Sequence, residues 1–216
     1  MDMTGQEEYP AKIGIIICST RTPRVCPQIT QFVLDTIQST KHQDTTIPTP
    51  DIIDLAEWNL PLFNESSIPS QIKDPSQYDH DHTRAWSAEI TRYHAFIFVV
   101  PQYNWGYPAV IKNAIDYLYH EWSGKPAFVV SYGGHGGGKC NRQLREVFRG
   151  VRMEVIERNV ELAFPGRGVL ERAAKGEDIG LANGSGSGGK LGFWEDERRG
   201  IVDAYRELLQ VLSGRV

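Results

Sequence analysis

Three short stretches of this 216-residue chain combine residue types that bind anions and flat rings. The first is Cys18-Ser19-Thr20-Arg21-Thr22-Pro23-Arg24-Val25-Cys26. It joins an apolar run to a helical pattern, so its amides point outward at a helix N-terminus, where the peptide dipoles favour negative charge. Ser19 and Thr20 add hydroxyls, and Arg21 and Arg24 add forked cationic donors that match a phosphate. The stretch has neither the Gly-Lys-Ser/Thr of a Walker A loop nor a Gly-x-Gly-x-x-Gly fingerprint. Its chemistry is therefore that of a terminal phosphate site, the alternative being a solvent-facing turn with two ordinary arginines.

The second stretch, Pro101-Gln102-Tyr103-Asn104-Trp105-Gly106-Tyr107-Pro108, places an amide pair and three aromatic rings directly after an apolar run. Amides at its edge and rings at its faces suit a flat heteroaromatic ligand. The alternative is an ordinary turn whose rings pack on the sheet edge. The third, Ser131-Tyr132-Gly133-Gly134-His135-Gly136-Gly137-Gly138, holds five glycines in eight residues. Such a backbone can approach a ligand closely and present its N–H groups, or it is a flexible turn.

Other reactive-looking groups read as structural. Asp79-His80-Asp81-His82 resembles a divalent-ion cluster, but without further ligands it reads as a solvated loop, and no metal site is assigned. Cys18 and Cys26 flank the first stretch and a helix N-terminus can activate a thiol, yet the position of Cys18 at the end of an apolar strand predicts an inert buried thiol. Lys112 and Asp116, four apart on a helix, predict a surface ion pair. No Gly-x-Ser-x-Gly elbow surrounds Ser19, so a hydrolase nucleophile is excluded.

The elements that must position these stretches alternate between two periods. Lys12–Cys18, Asp51–Leu55, Ala95–Val100, Ala127–Val130 and Glu154–Leu162 read as strands, mostly continuous apolar runs of the kind buried on both faces of a parallel sheet. Helical spacing follows from Pro27, from a cap at Thr83, from Pro108 to about Glu121, over 139–152, and from about Trp194 to Leu212. Five strand–loop–helix units predict an α/β fold, a doubly wound five-stranded parallel sheet with helices on both faces. In that architecture ligands bind beyond the carboxyl ends of the strands, which is where all three stretches fall. The segment 56–82 is longer than a normal connection, hence functional or mobile. Phe164–Lys190 fits no element, and its glycine-rich part, 183–190, predicts flexibility. The chain reads as a polar tail, 1–10, followed by a single domain, 11–216.

Composition narrows the function classes. Twenty-three Lys and Arg against 27 Asp and Glu give a net charge of -4, which argues against nucleic-acid binding. No apolar run is long enough to span a membrane, and no basic-then-apolar leader precedes the domain. Three scattered Cys match neither a disulfide framework nor a zinc motif. The expectation is a cytoplasmic protein.

Lys12–Val33, Val100–Tyr117 and Lys125–Val147 resemble the NADPH-dependent FMN reductase family, especially its fungal members. The motifs that carry the resemblance are Ser19-Thr20-Arg21 after the first strand, Pro101-Gln102-Tyr103-Asn104 with Pro108 and Lys112-Asn113-Ala114-Ile115-Asp116-Tyr117 after the third, and Ser131-Tyr132-Gly133-Gly134 after the fourth. Two positions depart from the family pattern: Cys18 stands in place of Gly, and Gln102 in place of Glu. The resemblance implies a flavodoxin-like fold and an FMN site. Ser19, Thr20, Arg21, Arg24, Val25 and Cys26 would hold the phosphate. Pro101, Gln102, Tyr103, Asn104 and Trp105 would hold the ring and ribityl chain, and Ser131, Tyr132, Gly133, Gly134 and His135 would lie at the pyrimidine edge. It further implies NADPH or NADH as reductant, a quinone, flavin or azo-dye acceptor served in a ping-pong cycle, and a homodimer or tetramer. The dimer interface would border the flavin, and the loop 64–82, with Tyr119 and Trp122 nearby in sequence, is the candidate for covering the partner's site. No side-chain acid or base is required, and His135 is the candidate for proton delivery. Two other readings compete: a flavin-binding electron carrier, which a charge of only -4 disfavours, and a redox-regulated interaction module. A receiver domain is excluded, because Ser19-Thr20-Arg21 and Pro101-Gln102 stand where it needs acidic residues.

Overall fold

The computed structural model describes residues 11–40, 48–181 and 194–214. The tail 1–10 and the glycine-rich part 183–190 lie outside the described residues.

The apolar runs form the strands β1 (Ile13–Ile17), β2 (Asp51–Asp54), β3 (Ala95–Pro101) and β4 (Pro126–Gly133). All pair in parallel, in the order β2-β1-β3-β4, with a fifth position beside β4. The order reverses between β1 and β3, so the crevice of this doubly wound sheet lies there. Ile17 pairs with Val99, and Pro101 with Tyr132. The three strands therefore end side by side, and the three ligand-type stretches leave one edge.

Side chains alternate across the sheet. Ile13, Ile15 and Ile17 of β1, with Ala95, Ile97 and Val99 of β3, pack under α1 (Cys26–Ser39) and the C-terminal helix Glu195–Ser213. Ile16, Phe96, Phe98 and Val100 face the opposite layer, made by Asp81–Thr91, Ala109–Asp116 and Gly138–Gly150. In chain order, with the short helix Leu55–Trp58 as α2, these are α3, α4 and α5.

The structure departs from the sequence expectations in four places. The expected fifth strand is split into β5 (Glu154–Val155) and β6 (Val160–Ala163), both parallel to β4 at successive registers. Arg145 of α5 explains the break. It is buried and donates to Asn159 Oδ1, to Glu157 O and to the Glu157 carboxylate, which draws 157–159 off the sheet. Helix α4 ends at Asp116 rather than near Glu121, because the Trp122 indole takes the Ile115 carbonyl and the Glu121 carboxylate accepts the Tyr119 amide. Helix α3 starts at Asp81, where its carboxylate pairs with Arg84, and Thr83 is a buried helical residue rather than a cap. Finally, the unassigned segment contains a helix, α6 (Arg167–Ala174), which makes the C-terminal helix α7.

The long connection 59–80 is built rather than loose. Tyr117 Oη lies within hydrogen-bond reach of the Pro61 and Leu62 carbonyls and of Asn64 Oδ1, to one of which its single proton goes, and Asn113 bonds both Phe63 N and Pro61 O. Glu65 accepts the amides of Asp79 and His80, and Tyr78 and Ser87 donate to the buried Glu121.

Gly14 shows how tightly β1 is held. A Cβ there would stand 2.9 Å from Ile53 Cδ1 and 3.0 Å from Phe96 Cδ1. Gly14→Val should therefore overpack the α3 side of the sheet and cost about 1–3 kcal/mol in urea unfolding.

Candidate functional site

A cavity of about 170 Å³ opens at the β1/β3 edge and takes in all three stretches. Ser19, Arg21, Arg24 and Val25 line it from the first, Pro101, Gln102 and Tyr103 from the second, and Tyr132, Gly133 and Gly134 from the third. Four further lining residues, Phe164, Leu170, Ala173 and Ala174, come from the unassigned segment. No sequence signal marked them, since they carry no polar chemistry. Thr20, Cys26, Asn104, Trp105, Ser131 and His135 do not line the cavity.

The first stretch is braced internally. Arg24 makes a two-pronged pair with Asp54 at the end of β2, at 2.8 and 2.6 Å, and also donates to the Ser19 carbonyl. The pair is largely shielded from solvent, and the Asp54 hydrogen bond holds Arg24 protonated more firmly than usual. Asp54 also caps α2 through Ala56 N. Arg24 thus shapes the loop. Arg21 reaches the other way, donating to Ala174 O at 2.6 Å and Ala173 O at 3.3 Å. Ser19 is fully buried, and its hydroxyl meets Tyr103 Oη at 2.8 Å, joining the first stretch to the second.

The second stretch is a tight reversal. Tyr103 and Gly106 exchange both backbone hydrogen bonds at 2.9 Å, and Asn104 and Trp105 take φ of 47° and 67° between them. Asn tolerates this left-handed geometry, whereas an indole-bearing residue does so at a cost of about 1–2 kcal/mol. The strain projects the Trp105 ring, 55% exposed, parallel to His135, with ring centres 6.2 Å apart and Lys139 Nζ 4.0 Å from its centre. Gln102 Oε1 accepts the Cys140 amide, so this side chain caps the first turn of α5.

The third stretch turns on Ser131 and Gly137. Ser131 Oγ donates to Gly136 O and is buried. Gly137, at φ +82°, leaves no room for a side chain: a Cβ would lie 2.9 Å from Ser131 Cβ. Tyr132 packs beneath, against Phe164, and burial together with the neighbouring Cys26 pushes its phenol well above the ordinary range.

Other sequence expectations find their places. Cys18, Cys26 and Cys140 are free and buried, and burial pushes the thiols of Cys26 and Cys140 up to about 12 and that of Cys18 well up too. They suit the inert reading. Lys112 and Asp116 pair at 2.6 Å on the surface. The Asp79–His82 run is divided among different partners. Asp79 accepts from Ser66, His80 and His82 stack while bonding Asn64, and Asp81 pairs with Arg84. Trp122, expected near a partner's site, is fully buried in the core instead.

Comparison with known proteins agrees with this geometry. Residues 11–165 match the model of the NADPH-dependent FMN reductase family. The chain is 50% identical over 147 residues to the NAD(P)H-dependent FMN reductase LOT6 of Saccharomyces cerevisiae, covering 67% of this chain and 77% of that protein. It is 36% identical over 95 residues to a quinone reductase of Pseudomonas putida, 41% of this chain and 47% of that one. In fold it is similar to FerB, a flavoenzyme NAD(P)H:(acceptor) oxidoreductase of Paracoccus denitrificans, with a TM-score of 0.62 at 19% identity over 93% of this chain and 97% of the other. A parallel sheet reversing between β1 and β3, three loops converging on one cavity there, and a match over most of the chain have one explanation: the chain belongs to the NADPH-dependent FMN reductase family.

Proposed function

We propose that this protein is an FMN-dependent NAD(P)H oxidoreductase that reduces a quinone or flavin acceptor by two electrons. The observation that carries the reading is the convergence of the three loops on one cavity at the β1/β3 crevice, in a chain of this family. The residues suit FMN. Ser19 is buried at the loop mouth, and its amide, like those of Thr20 and Arg21, meets no acceptor among the described residues. Such amides, with the Arg21 guanidinium beside them, are the donor set a phosphate requires. Gly133 and Gly134 line the opposite wall, where backbone N–H groups can face the polar edge of a ring.

When bound, FMN supplies the hydride-accepting and electron-donating chemistry. The chain's residues bind and orient. Arg24 and Asp54 hold the phosphate loop in shape, Tyr103 ties it to the ring-facing turn, and Trp105 offers an exposed aromatic face on which a nicotinamide or a quinone can stack. In balance, NAD(P)H gives a hydride, a proton comes from water, and the quinone leaves as its hydroquinone. No side-chain acid is required, and His135, beside Trp105 at the surface, stands where a proton could be passed.

An enzyme working as a homodimer, or a tetramer, and placed in the cytoplasm completes the proposal. Leu62, 83% exposed, and the exposed Phe63 and Ile68, which line one shallow cavity, put apolar side chains on the surface of the 59–80 connection, which suits a second copy of the chain. No helix among the described residues is long and apolar enough to cross a membrane.

Three measurements test these statements. Anaerobic NADPH titration of the FMN-loaded protein should bleach the bound flavin, and quinone should restore it. Bound flavin that NADPH leaves oxidised would favour an electron carrier or a regulatory module. Trp105→Gly should raise stability by about 1 kcal/mol in urea by relieving the left-handed strain, and should raise the acceptor KM, since the stacking face is gone. Paired Leu62→Glu and Ile68→Glu changes should shift the chain to a monomer in light scattering, with its circular dichroism unchanged.

A further inference from the structure

Residues 166–180 lie beyond the family match, which ends at residue 165, yet they rest on the first stretch. Leu170, Ala173 and Ala174 of α6 line the cavity. The carboxyl end of α6 faces the first stretch, where Arg21 takes its last carbonyls, Ala174 O and Ala173 O. The residues that follow are pinned to the same loop and to α1. Gly176, at φ +68°, sits so close that a Cβ would stand 2.8 Å from Pro23 Cβ and 3.0 Å from Arg24 N. The Gln28 amide of α1 donates to Gly176 O at 3.2 Å and Glu177 O at 3.1 Å, and its oxygen accepts Ile179 N at 3.2 Å. Arg172 closes the turn by donating to Asp178 O.

Two demands therefore meet on one guanidinium. Nη1 and Nη2 of Arg21 serve the carbonyls of α6, and a phosphate on this loop that takes this forked pair must take it from the helix. The carboxyl end of a helix carries the negative pole of its dipoles, so a phosphate dianion and that helix end repel each other at close range. The closed segment and a phosphate held by the fork of Arg21 therefore compete for the same guanidinium.

We propose that residues 167–179 form a strap that competes with the phosphate of FMN for Arg21, so that the cofactor binds by displacing it. The proposal rests on reading the first stretch as the FMN phosphate site. Only molecules with the strap released are competent for the phosphate, and the apparent affinity is lowered by that fraction. The strap thereby makes the phosphate the group that opens the site. Riboflavin, which has the same ring and no phosphate, lacks that group. The strap also holds the site in exchange with free FMN, because reclosing drives the phosphate off Arg21.

The test uses the full chain. Gln28 lines no part of the cavity, so Gln28→Ala weakens the strap without touching the ligand's walls. Flavin affinity is read by fluorescence quenching, and the strap by hydrogen exchange over 167–179. FMN should speed exchange there several-fold, and excess riboflavin should not. Gln28→Ala should tighten FMN about tenfold, the scale of the hydrogen bonds it removes, and leave riboflavin affinity unchanged. Arg172→Ala, which loosens the strap from its exposed side, should shift FMN in the same direction and serves if the first variant fails to fold. Slower exchange over 167–179 with FMN, or variants that bind FMN no tighter than the parent, would overturn the proposal and make the segment a cover that closes over the cofactor. Failure of parent and variants alike to bind FMN and riboflavin would instead overturn the site reading beneath it.

Discussion

Everything at the candidate site depends on the register of three adjacent parallel strands. Ile17 of β1 sits level with Val99 of β3, and Pro101 at the end of β3 sits level with Tyr132 of β4. A parallel ladder fixes the strand ends relative to one another, and a slip by one residue would exchange the two faces of each strand. Both faces here are filled, by Ile13, Ile15 and Ile17 on one side and Ile16 with Phe96 and Phe98 on the other. The packing thus locks the register, and the register delivers three otherwise distant loops to one crevice.

Within that frame the polar residues divide into those that build and those that remain to bind. Arg24 is committed to Asp54 and to the Ser19 carbonyl, Gln102 to the first turn of α5, and Ser131 to Gly136. Each satisfies a group that would otherwise be buried without a partner, which a fold cannot afford in number. Such commitments give the loops a single shape in advance, so little ordering remains to be done when a ligand arrives. The groups kept toward the ligand are few: amides of the first stretch, glycine backbone in the third, and the strained, solvent-facing Trp105. Strain held at an exposed aromatic residue is the feature of the second loop that packing does not account for.

Gln102 illustrates how a departure from the family pattern is absorbed. An oxygen acceptor is what the Cys140 amide needs, and Gln supplies it as Glu would, without placing a full charge beside the turn at Tyr103–Gly106. Cys18 is absorbed differently. Its sulfur points into the core and donates to Ile16 O, so the added side chain fills the α3 side of the sheet rather than the first stretch.

Much of this was legible in the chain itself. Continuous apolar runs at Ile13–Ile17 and Ala95–Val100 specify buried parallel strands, and the residues that follow them, Ser19 to Arg21 and Gln102 to Trp105, carry chemistry in their types and order. Those signals are local: periodicity, turn residues and donor groups within a few positions. What the sequence could not express is pairwise. The partners of Arg21 and Arg24 lie about 150 and 30 residues away, so nothing in the loop says which guanidinium is spent on the fold. The split of the last strand hangs on Arg145 reaching Glu157 and Asn159. The helix Arg167–Ala174 turns only apolar residues, Leu170, Ala173 and Ala174, to the cavity, and it gains a role only by lying over a cavity whose other walls come from three remote loops. Local composition determined which residues could act, and long-range packing decided which of them are free to.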